Sequence, residues 1–137
     1  KNTFFHGHTY TGNQLVCSVA LENINLFKKK HLIGHIQKTS QTLKQRLEAL
    51  QPHKNIGDIR GRGLMYGVEL VENKSTQTPL DIPTVELIIR RCKENGLMIR
   101  NLENVITFVP ILSMSNKEIK KMVKIFNKAL HQTLGKK

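Results

Sequence analysis

The chain has 137 residues, with 22 Lys or Arg against 10 Asp or Glu, for a formal net charge of +12. This length suits one domain with a modest core, and no apolar run is long enough to be a transmembrane helix. The charge raises nucleic acid or an anionic membrane as partner, but the basic residues are scattered over helix faces, Trp is absent, and no aromatics interleave with the cations to stack on bases. Solvated faces account for the lysines, and neither nucleic acid nor membrane is expected as a partner.

In chain order, His6-Gly7-His8-Thr9-Tyr10-Thr11-Gly12-Asn13 comes first and runs into the apolar stretch from Leu15 to Leu21. N–H groups at a helix start are unpaired and carry partial positive charge. With hydroxyl donors beside them they suit a phosphate. Residues 13–30 predict a helix. Its first half is apolar on most sides (Leu15, Val16, Cys17, Val19, Ala20, Leu21), which predicts burial. Such a helix wants more cover than so small a domain offers. Together with the lack of an initiator Met and of a signal-peptide core, this suggests a processed or excised piece.

A second helix is predicted over 31–50, with Leu32, Ile36, Leu43, Leu47 and Leu50 on its inner face and Gln51-Pro52 as its stop. Residues 56–71 change character. Val68, Leu70 and Val71 are strand formers, and Arg60-Gly61-Arg62-Gly63 reads as a turn between two strands. Residues 72–80 read as a polar surface loop. Asp81 is placed to cap a third helix with Pro83 in its first turn, and Asn95-Gly96 to end it. Residues 97–100 and 105–109 predict two strands joined by a turn at 101–104. Ser115 and Glu118 form a capping box for the last helix, whose inner face carries Ile119, Met122, Val123, Phe126, Leu130 and Leu134. The order predicts an α+β fold, a small sheet with helices packed on one side.

The two cysteines, Cys17 and Cys92, both fall on apolar helix faces and read as buried free thiols, which suits a reducing, cytoplasmic setting. His6 and His8 share one side of an extended segment but lack a third ligand, so no metal site is expected. Arg60 and Arg62 beside their glycines read as a structural turn. Tyr10 is open between a substrate contact and simple packing.

Four landmarks carry a family resemblance. His6-Gly7-His8-Thr9-Tyr10-Thr11-Gly12-Asn13, leading into Leu15-Val16-Cys17, is similar to H-G-x-T-[FY]-x-G-N-P-L-A-C of the class III aminotransferases, fold-type-I enzymes that use pyridoxal phosphate. Gly57-Asp58-Ile59-Arg60-Gly61-Arg62-Gly63-Leu64-Met65-Tyr66-Gly67-Val68-Glu69-Leu70 resembles their G-D-V-R-G-x-G-L-M-x-G-V-E-L. Gly96-Leu97-Met98-Ile99-Arg100 and Val105-Ile106-Thr107-Phe108-Val109-Pro110 follow in the family's order. Phe4-Phe5-His6-Gly7-His8 and Ile99-Arg100 look most like the diaminopelargonic acid aminotransferases of biotin synthesis. Gln14 departs from the family's proline.

The resemblance implies a small C-terminal domain of a fold-type-I enzyme. In that reading residues 1–14 are a phosphate-site segment from a larger domain, 15–30 a connecting helix and 31–137 the C-terminal domain. It implies a homodimer in which Thr9 donates to the cofactor phosphate of the neighbouring subunit, with His8 beside it. Arg100 then faces the substrate carboxylate and Tyr10 lies near the substrate. The substrates implied are a small-molecule amino donor, S-adenosylmethionine or lysine, and a keto acceptor, 8-amino-7-oxononanoate. The family's Schiff-base lysine lies upstream of the threonine segment, so no catalytic residue is expected in this chain, and the chain alone is expected to be inert. Another class III transaminase, acting on an omega-amino acid, ornithine or an amine, is the alternative within the family. A small basic nucleic-acid-binding module and a truncated product that folds poorly are the alternatives outside it.

Overall fold

A computed structural model describes residues 2–135. It divides into two compact units, Lys1–Ile33 and Gly34–Lys137. The first holds one helix, α1 (Gln14–Lys29). The Asn13 side chain caps it, accepting from the Val16 N–H at 3.1 Å, and Lys28 and Lys29 occupy the last turn. The predicted helix is present, but its predicted burial is not: no residue of α1 is buried. Its own unit offers no other complete element, and a helix that is apolar on most sides cannot cover itself. Cys17 is therefore exposed, against expectation, while Cys92 is buried, and both thiols are free.

The second unit contains α2 (Leu32–Glu48) from Gly34 onward, β1 (Ile56–Arg62), β2 (Met65–Asn73), β3 (Thr78–Pro79), α3 (Ile82–Glu94), β4 (Arg100–Leu102), β5 (Val105–Phe108) and α4 (Asn116–Leu134). The strands run in the order β1-β2-β5-β4, every pair antiparallel, and β3 pairs with β2 beyond this path. One face carries Ile56, Tyr66, Val68, Leu70, Ile106 and Phe108, all buried. Leu43 and Leu47 of α2, Val85, Ile88 and Cys92 of α3, and Ile119, Phe126 and Leu130 of α4 pack into the same core. Phe108 meets Phe126 edge-on, with ring centroids 5.2 Å apart, a favoured aromatic geometry. This is the expected α+β arrangement, a small sheet with helices on one side.

Several boundaries differ from the sequence reading. Arg60, Gly61 and Arg62 belong to β1 rather than to a turn; the reversal is Gly63-Leu64, closed by the Arg62–Met65 pair. Gly63 has φ of +62°, the left-handed backbone that the first position of a tight hairpin turn demands. Residues 72–80 are not simply a loop. β2 runs to Asn73, whose side chain accepts from the Ser75 N–H at 2.8 Å, and the chain returns as β3. Residues 97–99 lie outside any strand, and the turn between β4 and β5 is Glu103-Asn104, with Glu103 at φ of +52°. The helix ends agree with expectation. Asp81 caps α3, Asn95 ends it with Gly96 at φ of +85°, and Ser115 and Glu118 close a reciprocal capping box on α4.

Gly61 faces Tyr66 across the hairpin, and a Cβ on it would meet the Met65 carbonyl and lie 2.6 Å from the Tyr66 ring. Gly61→Ala should therefore destabilise by roughly 1–3 kcal/mol. Gly34→Ala, in α2 with nothing near its Cβ position, should stabilise by roughly 0.5–1 kcal/mol. Urea midpoints of the two variants should move in opposite directions.

Burial lifts the Cys92 thiol from its ordinary 9.0 to about 11. The folded protein then holds this proton more tightly than the unfolded chain does. That contribution to stability is whole below pH 9.0 and is lost as pH rises towards about 11. Native protein should resist alkylation at Cys92 near neutral pH, and Cys92→Ala should remove this part of the alkaline loss, followed by denaturant midpoints against pH.

Candidate functional site

The candidate residues fall into two places, one in each unit. In the first unit, His8, Thr9 and Tyr10 are consecutive in a turn held by the Thr11 N–H on the His8 carbonyl at 2.9 Å and the Asn13 N–H on the Tyr10 carbonyl at 3.1 Å. All three are exposed, Tyr10 at 71%, so within this unit Tyr10 does not pack. His6 stacks on Phe4 at 5.3 Å between centroids and lies 6.3 Å from His8. Among the described residues, no group of three or more His, Cys, Asp or Glu is placed to hold a metal ion.

The local geometry fits a phosphate. Gly7 and Gly12 flank the hydroxyls with nothing within 4 Å of their Cβ positions, so the backbone is open to a ligand. Asn13 consumes the Val16 N–H as a cap. The N–H groups of Gln14 and Leu15 stand in the first turn, where the helix supplies no acceptor. Thr9 adds a hydroxyl that, among the described residues, makes no hydrogen bond.

The second place is a cleft of about 530 Å³ at the β4–β5 end of the sheet. Its lining is mostly apolar and includes Met98, Phe108, Val109, Ile111 and Met114, with Arg100 and Thr107 as polar members. Arg100 is exposed and opens β4, whereas the sequence reading made it the last residue of a strand over 97–100; pairing with β5 begins only at Arg100, opposite Thr107. One wall is pinned from α2, where the His35 Nε2 lies 3.0 Å from the Met114 carbonyl oxygen.

The pairing register aligns Arg60, Gly67, Thr107 and Arg100 in one row across the face of the sheet that the helices leave open. The two arginines differ in their company. Arg60 donates to Asp58 Oδ2 at 2.9 Å and also to Glu69. Glu69 first and Asp58 second hold its charge more firmly than usual, raising its pKa. Arg100 makes no ion pair among the described residues. Arg60 is thus satisfied within the fold, though from a strand and not from the expected turn, while Arg100 makes no such pair among the described residues. An unpaired guanidinium beside apolar walls suits an amphipathic carboxylate.

Residues 2–130 match the family described as aminotransferase class III. The chain belongs to the class III aminotransferases. It is similar to the adenosylmethionine-8-amino-7-oxononanoate aminotransferase of Staphylococcus aureus, at 68% identity over 136 residues that cover 99% of this chain and 30% of that protein. Among solved structures it resembles the aminotransferase of the same name from Methanocaldococcus jannaschii, with a TM-score of 0.87 and 37% identity over 96% of this chain and 30% of that one. A thermostable omega transaminase from Pseudomonas jessenii gives a TM-score of 0.87 at 29% identity, over 97% of this chain and 31% of that one. The chain therefore spans about 30% of the length of these relatives, and its architecture is that of a portion of the class III fold. Among the described residues no helix is long and apolar enough to cross a membrane.

Sequence reasoning singled out Thr9, His8, Tyr10 and Arg100 but missed Thr107 and His35. Thr107 was visible only as one residue of an alternating strand, and His35 as one position on a helix. Loss of the His35 tether should loosen the cleft wall: His35→Ala should speed amide hydrogen exchange over residues 111–114 and cost about 1 kcal/mol of stability, leaving exchange in β1 and β2 unchanged.

Proposed function

We propose that this chain is the C-terminal part of a pyridoxal-phosphate aminotransferase that transfers an amino group to 8-amino-7-oxononanoate, with S-adenosylmethionine as donor. The carrying observation is the 68% identity to the Staphylococcus aureus protein of that name over nearly the whole chain. The free Arg100 at an apolar cleft supports it independently, since the acceptor pairs a carboxylate with a long alkyl chain. In this reading residues 1–14 are the phosphate-site segment of a larger domain, 15–30 a connecting helix and 31–137 the small domain. A homodimer in the cytoplasm completes the reading, supported by the family resemblance and by free thiols at Cys17 and Cys92.

Each residue then has a defined task. Pyridoxal phosphate, when bound, supplies the electron sink through which the amino group passes. Thr9 donates its hydroxyl to the phosphate, and the N–H groups of the first turn of α1 add to it. His8 borders the same group, and Tyr10 offers an aromatic surface to the substrate. Arg100 grips the acceptor carboxylate in a planar fork that lysine cannot reproduce. Met98, Val109 and Ile111 exclude water from the alkyl chain, and their burial against it adds affinity without a charge.

The test uses the full-length protein that carries this chain, supplied with pyridoxal phosphate. It should aminate 8-amino-7-oxononanoate from S-adenosylmethionine and restore growth of a biotin auxotroph lacking that step. Turnover with lysine alone would reassign the donor, and turnover only with an omega-amino acid, ornithine or an amine would overturn the reading. Arg100→Lys should raise KM for the acceptor on the order of 10- to 100-fold, the worth of a charged hydrogen-bonded pair. Thr9→Val should weaken retention of the cofactor by about tenfold on dialysis, followed by its absorbance.

A further inference from the structure

Arg100 is poorly anchored for a residue that must aim a directional group. It begins an edge strand of three residues, Arg100–Leu102, and residues 97–99 before it lie outside any strand. β5 is the neighbour that holds β4 in the sheet. Thr107 of β5 stands directly across from Arg100, and its hydroxyl donates to the Arg100 carbonyl oxygen at 3.0 Å. Thr107 is half-buried and lines the same cleft. A valine there would fill the same space and suit a strand equally well. What threonine adds is one hydrogen bond, spent on the backbone of Arg100.

We propose that Thr107 is a positioning residue for carboxylate recognition, its hydroxyl fixing the Arg100 backbone so that the guanidinium presents both arms of its fork to the acceptor. The proposal rests on the reading of Arg100 as the carboxylate grip. A fork bound through two parallel hydrogen bonds depends on orientation as well as distance. A small rotation at the Arg100 Cα is magnified along the side chain, and a displacement of about 1 Å at the reacting end is costly in such sites. Thr107 does not spend its proton on the ligand, so its effect should reach only substrates that carry the carboxylate.

The experiment compares wild-type full-length holoenzyme with Thr107→Val, Thr107→Ser and Arg100→Lys. The acceptor and its methyl ester are each followed by KM, kcat and calorimetric Kd. Thr107→Val should raise KM and Kd for the acid about fivefold, the size of one ordinary hydrogen bond, with kcat held within about twofold. Thr107→Ser should restore the wild-type values. The methyl ester, with no anion for the fork, should bind wild type and Thr107→Val alike. Equal losses with acid and ester, or no rescue by serine, would mark Thr107 as merely structural and overturn the proposal. So would an unchanged Thr107→Val beside an impaired Arg100→Lys, which leaves the grip intact. An Arg100→Lys variant with wild-type affinity for the acid would sink the grip reading and this proposal together.

Discussion

Two hairpins that are distant in the chain become one sheet only where β2 lies antiparallel to β5, with Tyr66 opposite Phe108 and Val68 opposite Ile106. These four side chains point into the helices, and all are buried. The alternation of a strand then sends Gly67, Glu69, Val105 and Thr107 to the other face. A slip of one residue would reverse this assignment for every position at once. The core thus enforces the register, and the register in turn composes the open face. Arg100 reaches the cleft because Phe108 and Val68 must not be wet.

On that open face the chain handles two similar cations in opposite ways. Arg60 sits between Asp58 and Glu69, and its charge is answered inside the fold. Arg100, at the far end of the same row, makes no ion pair among the described residues. A formal charge of +12 says little about ligand preference, because most of it is lysine on helix surfaces where water and salt screen it. In the proposed reading the selective element is the Arg100 guanidinium, which makes no ion pair among the described residues and lies beside Met98, Val109 and Ile111.

What the sequence revealed follows the range of the interactions involved. Helix caps are local, so Asp81, Asn95-Gly96 and the Ser115–Glu118 box could be read from a few adjacent residues, and the structure has them in those roles. Strand ends are set by pairing with distant partners. Arg60, Gly61 and Arg62 look like a turn by composition, yet β2 recruits them into the ladder and leaves the reversal to Gly63-Leu64. Likewise β3 exists because β2 continues far enough to pair with it. Burial of α1 was inferred from its composition alone, and composition shows that a surface needs cover without supplying the cover. Arg100 was legible through its resemblance to a family segment. Thr107 was not, because its significance lies in standing opposite Arg100, a fact of register that neither residue carries by itself.

The edge position of β4 explains why such a second contact matters. A central strand is held from both sides, whereas an edge strand of three residues has one neighbour and an irregular approach at residues 97–99. Among the described residues no further strand lies beyond β4, which leaves the arginine head open to solvent. The same position leaves its backbone with fewer restraints than the central strands enjoy. The Thr107 hydroxyl and, on the neighbouring wall, the His35 contact to Met114 both act on main-chain carbonyls of the cleft. In the proposed reading both restrain the frame from which side chains reach the ligand and leave those side chains their donors. An accessible yet aimed cation requires that division of labour: openness comes from the edge of the sheet, and precision from side chains that bind backbone.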